Sequence, residues 1–193
     1  MPRPRTVEDD AILDAAMRIV ERDGRAAVTF ARVAQEVGLS SASVVQRFGA
    51  KRDLLLAATV RGWRSLLDAF PEARRSHASP LDALLAVLVA MTSTVRTPEA
   101  MANSIAFLHI DLSDPEFHRH AVTGAAEMRD RIERLLAEAV AAGELAPTDT
   151  RRLATGVQNT YNGALVTWAI YREGSIGEWV RAQVEFLLDG FRA

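Results

Sequence analysis

The chain has 193 residues, 49% of them apolar and 25% charged, enough for one moderately large domain or two small ones with a sizeable core. A formal net charge of −2 excludes a generally basic nucleic-acid coat but leaves room for a local cationic face. The absence of cysteine excludes disulfides, thiolate metal sites and cysteine catalysis. No apolar signal core opens the chain, and the longest apolar stretch, residues 81–91 broken by Asp82, is too short to span a bilayer, so a cytoplasmic protein is expected.

Residues 1–6, MPRPRT, read as a flexible basic arm in which Pro2 and Pro4 oppose helix, either a disordered tail or an arm whose Arg3 and Arg5 enter a minor groove. A first helix is expected over residues 7–23, with Ile12, Ala15, Ala16, Ile19 and Val20 on one face and Gly24 ending it. The segment TFARVAQEVGLSSASVVQRFGAKR, residues 29–52, then reads as two short helices joined by a tight turn. Thr29 caps the first, Phe30, Val33, Ala34 and Val37 form its apolar stripe, and Gly38 stops it. Ser40 caps the second, which buries Val44 and Phe48 and turns Ser41, Ala42, Ser43, Gln46 and Arg47 outward. Residues 37–52 contain no acid, whereas Arg47, Lys51 and Arg52 are cationic, as a phosphate-facing surface requires.

A fourth helix is expected from about residue 50 towards Pro71, followed by a loop over residues 71–80 with a proline at each end. Beyond it the period stays helical and no strand pattern appears. An all-round apolar helix covers residues 80–95, a shorter one residues 99–111, and Ser113-Asp114-Pro115 opens a long helix that stops at Gly143. A final pair covers residues 148–173 and 176–191, separated by Gly174.

Residues 12–57 resemble the N-terminal DNA-binding domain of the tetracycline-repressor (TetR) family of bacterial transcription regulators. The matching stretches are ILDAAMRIVERDG, VTFARVAQEVGLSSASV and the spaced set Phe48, Lys51, Leu54 and Leu55. Two positions depart from the family pattern: Val45 stands where an aromatic residue commonly helps hold a DNA phosphate, and Ala42 where glycine is frequent. The resemblance implies an all-α homodimeric repressor that leaves a palindromic operator when a small molecule binds. It implies a helix-turn-helix domain over residues 1–52 and a larger helical sensing and dimerisation domain over residues 53–193. Its DNA-binding set would be Thr29, Ser40, Ser41, Ala42, Ser43, Gln46, Arg47, Lys51 and Arg52, with cations and helix-end N–H groups on phosphates and the outward face at base edges.

In the last two helices, Leu153, Val157, Tyr161, Ala164, Leu165 and Trp168 make one broad stripe, and Ile176, Trp179, Val180, Gln183, Leu187 and Phe191 another. Both can pack into their own core. Gly156 and Gly163 would also permit close helix approach, and the resemblance places the dimer interface on this pair, at Gly156, Gly163, Ala164, Trp179, Gln183 and Leu187. For the sensor, a cavity between helices lined by Met91, Phe107, His109, Met128, Tyr161, Asn162 and Trp168 would take an apolar or aromatic effector, the competing expectation being a filled core. No metal or cofactor is expected: His118 and His120 are two apart and fall on different helix faces. No phosphate loop, nucleophile elbow or Ser-His-Asp arrangement supports an enzyme. The alternative kept beside operator binding is a helical protein-interaction adaptor on the same fold, favoured only by Val45.

Overall fold

A computed structural model describes residues 7–95 and 97–193. The basic arm with Arg3 and Arg5 lies outside the described residues. Among those described there are nine α-helices and no strand: α1 (Asp9–Asp23), α2 (Phe30–Val37), α3 (Ser41–Phe48), α4 (Lys51–Ser76), α5 (Pro80–Ala90), α6 (Pro98–Ser113), α7 (Pro115–Ala141), α8 (Thr150–Tyr171) and α9 (Ile176–Asp189). No single helix among them is long and apolar enough to cross a membrane. The chain divides into two compact units, one formed by the residues up to Trp63 with Ala102–His120, the other by Arg64–Met101 with Ala121–Ala193.

The first unit is built from the short helices. Ile12, Ala15, Ala16, Ile19 and Val20 of α1 meet Val33 and Ala34 of α2 and Val44 of α3 in a core closed by Leu54, Leu55 and Ala58 of α4 and by Phe107 and Phe117. The two phenylalanine rings pack edge to face, 6.3 Å apart. Each fully buried aliphatic side chain here contributes about 1.5–3 kcal/mol, so the core rather than helix propensity holds these eight-residue helices. Their ends are set locally. The Thr29 and Ser40 hydroxyls accept from the N–H groups of Arg32 and Ser43. Gly38 adopts a left-handed conformation (φ 70°), which lets Leu39 N–H reach the Ala34 carbonyl at 2.9 Å and Gly38 N–H that of Gln35 at 3.4 Å.

The second unit surrounds α5, whose Leu81, Ala83, Leu84, Leu85, Val87 and Leu88 are all buried. Leu67 and Phe70 of α4, Met128, Ile132, Leu135 and Leu136 of α7, Tyr161 and Trp168 of α8, and Val180, Val184 and Leu188 of α9 complete this core. The α9 backbone comes so near α5 that a Cβ on Gly177 would lie 3.1 Å from Val89.

Two boundaries differ from the sequence expectation. The helix α4 does not end at Pro71 but continues to Ser76 with the proline inside it. Phe70 is in the core, Ala73 packs against it, and Arg74 pairs with Glu138, so tertiary contacts outweigh the hydrogen bond that proline removes. The helix expected to reach residue 95 instead tightens into a 3₁₀ turn over Met91–Thr94.

Candidate nucleic-acid interface

The outward face of α3 follows from the inward one. Val44 is fully buried and Phe48 packs against the first core, which leaves Ser41, Ala42, Val45, Gln46 and Arg47 exposed. Ser43 is half-buried, and its hydroxyl is paired with that of Ser40 at 2.8 Å. Of the hydroxyls expected at base edges or phosphates, those of Thr29 and Ser40 therefore begin as helix caps, and that of Ser43 begins paired with Ser40.

Each cation around this face has acceptors within the protein. Arg47 Nη1 donates to the Val7 carbonyl at 2.6 Å and to Asp9 at 3.0 Å, beside a surface cleft lined by Val7, Glu8, Asp9, Asp10 and Arg47. Lys51 Nζ donates to the carbonyls of Arg25 and Ala26, at 3.0 and 3.3 Å, closing the turn between α1 and α2. Burial, with nearby Arg25 adding to it, holds the Lys51 ammonium below the ordinary lysine range. Arg52, expected at a phosphate, instead grips Asp114 with Nη2 and Nε, donates from Nη1 to Glu116 at 2.9 Å and lies 5.6 Å from the centre of the Phe117 ring. Asp114 also accepts the Glu116 N–H at the start of α7, so one carboxylate both caps that helix and holds α4.

The expected sensor residues separate. Met91, Met128, Tyr161 and Trp168 share the second core, and the Trp168 indole N–H donates to the Gly174 carbonyl at 3.2 Å. Phe107 belongs to the first core, while His109 and Asn162 are exposed, so these three do not join the others. For Phe107 the cause is that α6 places Met101 in one core and Phe107 in the other, which spacing alone does not disclose, whereas Asn162 lies on the outer face of α8.

On the final helix pair, Ala164 is core at 3% exposure. Gly156 and Leu187 meet each other, a Cβ on the glycine lying 3.7 Å from Leu187 Cδ2. Trp179 is half-buried, its indole N–H directed to Thr167 Oγ1 at 3.3 Å and its ring 5.7 Å from that of Tyr171. Only Gly163 and Gln183 of the expected set face outward. Outward apolar groups on this pair include Val166 and Ile170 on α8 and Phe186 on α9, the last 82% exposed. The sequence signal for them was present: 163, 166 and 170 continue one line along a helix, as do 183 and 186.

Two sequence comparisons bear on this arrangement. Residues 12–58 match the family described as "Bacterial regulatory proteins, tetR family", and residues 80–184 match "Tetracyclin repressor-like, C-terminal domain". A curated relative, the HTH-type transcriptional regulator BetI of Rhizobium meliloti (strain 1021), is 28% identical over 162 residues, 83% of this chain and 77% of that protein. Among solved structures, a TetR transcription regulator from Haloarcula marismortui aligns with a TM-score of 0.79 at 18% identity, covering 96% of this chain and 98% of its own. A TetR-family regulator from Cytophaga hutchinsonii aligns with a TM-score of 0.76 at 15% identity, covering 96% and 94%. At such identities the structural likeness concerns the fold alone.

Proposed function

Because the chain belongs to the tetR family of bacterial regulatory proteins and is a DNA-binding transcriptional regulator and not an enzyme, we propose that it acts in the cytoplasm as a homodimeric repressor of a palindromic operator, released by an apolar or aromatic effector. The observation that carries this reading is the outward face of α3, with Ser41, Ala42, Val45 and Gln46 exposed beside Arg47 and Lys51 and no acidic residue over residues 37–52. A helix of this kind enters a major groove, and backbone phosphates supply most of the affinity. Lys51 uses two of its three ammonium protons on carbonyls and keeps one for a phosphate. Arg47 keeps its second amino group and Nε for the same purpose.

Dimerisation is assigned to the outward face of α8 and α9, centred on Gly163, Val166, Ile170 and Phe186. A two-fold axis there would set the spacing of two α3 helices and so the half-site separation. The effector would enter the second unit beside Met91, Met128, Tyr161 and Trp168, and it acts only by binding the DNA-competent and DNA-incompetent geometries with different affinity. The adaptor alternative rested on Val45 alone and is not favoured, given the family membership. Selection from random duplexes tests the proposal: enrichment of a palindrome bound with strong salt dependence supports it, and the absence of any enriched sequence sinks it.

A further inference from the structure

We propose that Val45 and Ala42 form an apolar reading strip on α3 that recognises the C5-methyl of thymine in the operator half-site. The inference rests on the operator-binding reading and names the base chemistry this particular helix selects. Val45 is 42% exposed on a helix whose other large apolar residues, Val44 and Phe48, pack inward. Ala42, three residues earlier, lies on the same line of the helix surface and is exposed as well. Nothing in the core requires a branched aliphatic group at 45, since that position points away from it. The strip is bordered by Ser41 and Gln46, and Arg47 is drawn aside to Val7 and Asp9. The centre of the contact face is therefore apolar and its margins are polar.

A major groove offers such a strip one apolar partner. Guanine, cytosine and adenine present only donors and acceptors there, whereas thymine adds a methyl group. Set against a polar edge, the valine would strip water from groups it cannot pair with, an unfavourable exchange. Set against a thymine methyl, both apolar surfaces leave water together. Gln46 beside it suits adenine, whose N6 and N7 it can bond bidentately, so the pair of side chains favours A·T steps at the centre of each half-site.

The test replaces thymines of the selected operator, one position at a time, with deoxyuridine, which lacks the methyl and keeps the pairing edge. Binding is read by fluorescence anisotropy with wild-type protein, Val45→Ala and Ala42→Gly. At one or two positions per half-site, deoxyuridine should weaken wild-type binding about fourfold, the loss expected for one buried methyl (about 0.8 kcal/mol). Val45→Ala should bind the thymine and deoxyuridine duplexes equally at its own position, and Ala42→Gly at the neighbouring one. Both substitutions are on exposed positions, so cooperative thermal melts should confirm intact folding, with Ala42→Gly melting slightly lower through its helix propensity alone. Equal wild-type affinity for every deoxyuridine duplex would overturn the inference while leaving operator binding intact. A Val45→Ala variant weakened equally on all sequences would also overturn it, by moving the residue to the DNA backbone. Failure to enrich any operator removes both readings at once.

Discussion

Lys51 and Arg52 are adjacent and carry the same charge, yet the start of α4 sends them to different partners. Lys51 retains a donor beyond the two carbonyls it holds, whereas Arg52 is occupied by Asp114, Glu116 and Phe117. Lys51→Ala is expected to weaken operator binding on all sequences and to lower the salt slope by about 1. Arg52→Ala is expected to lower the melting temperature and leave the slope unchanged, and a salt series combined with thermal melts separates the two. Glu21 gives a prediction in pH. Burial pushes its carboxyl from 4.5 up to about 7, against the opposing pull of Arg18. The folded state then holds the proton more tightly than the unfolded chain. Its contribution to stability is complete below 4.5 and is lost as the pH rises through about 7. Glu21→Gln should therefore flatten that fall and melt higher than wild type near pH 8. The flattening is partial, because burial also raises Asp111 to about 6, with its Oδ1 buried and unpartnered. Parallel stability–pH curves for the two proteins would refute the assignment.

Helix existence and helix ends were largely legible, because they are written in neighbouring residues. Thr29, Gly38, Ser40 and the Asp114-Pro115 pair each act within one turn of where they stand, and the structure has them as caps and stops. What spacing could not supply is which element a stripe meets. Pro71 looked like a terminator because its cost is local, while the compensation from Phe70, Ala73 and Glu138 is not. Ala164, expected at an interface, is buried in the second core, and Phe107, expected beside Met91 and Trp168, is buried in the first. The sensor set was legible only as far as residues that are apolar for packing reasons. The structure now distinguishes two variants of the α8–α9 pair. Phe186→Asp places a charge at an 82% exposed position and should yield a folded monomer by light scattering. Ala164→Asp buries an unpaired charge and should leave the protein unfolded or aggregated. A dimeric Phe186→Asp variant would refute the assigned face.

At the scale of the molecule, the boundaries between the two units fall inside α4, α6 and α7. The helix α4 supplies Leu54, Leu55 and Ala58 to the first core and Leu67 and Phe70 to the second, while α7 supplies Phe117 to the first and Met128 to the second. A fragment of residues 1–52 would lack Leu54, Leu55, Ala58, Phe107 and Phe117, and it should show no cooperative melt by circular dichroism. A cooperative transition in that fragment would show the remaining contacts to be sufficient. The carbonyl contacts of Lys51 have one more consequence, because it is the only lysine in the chain. The molecule offers a single ε-amine to acylating reagents, and in the folded state that amine is half-buried and held by two carbonyls. Side-chain acylation should thus add one mass increment, slowed when operator DNA covers the site and hastened when denaturant frees the amine from the Arg25 and Ala26 carbonyls. The same modification erases a charge from the end of α4 proposed to face DNA, so one reagent should both report occupancy of that interface and disable it.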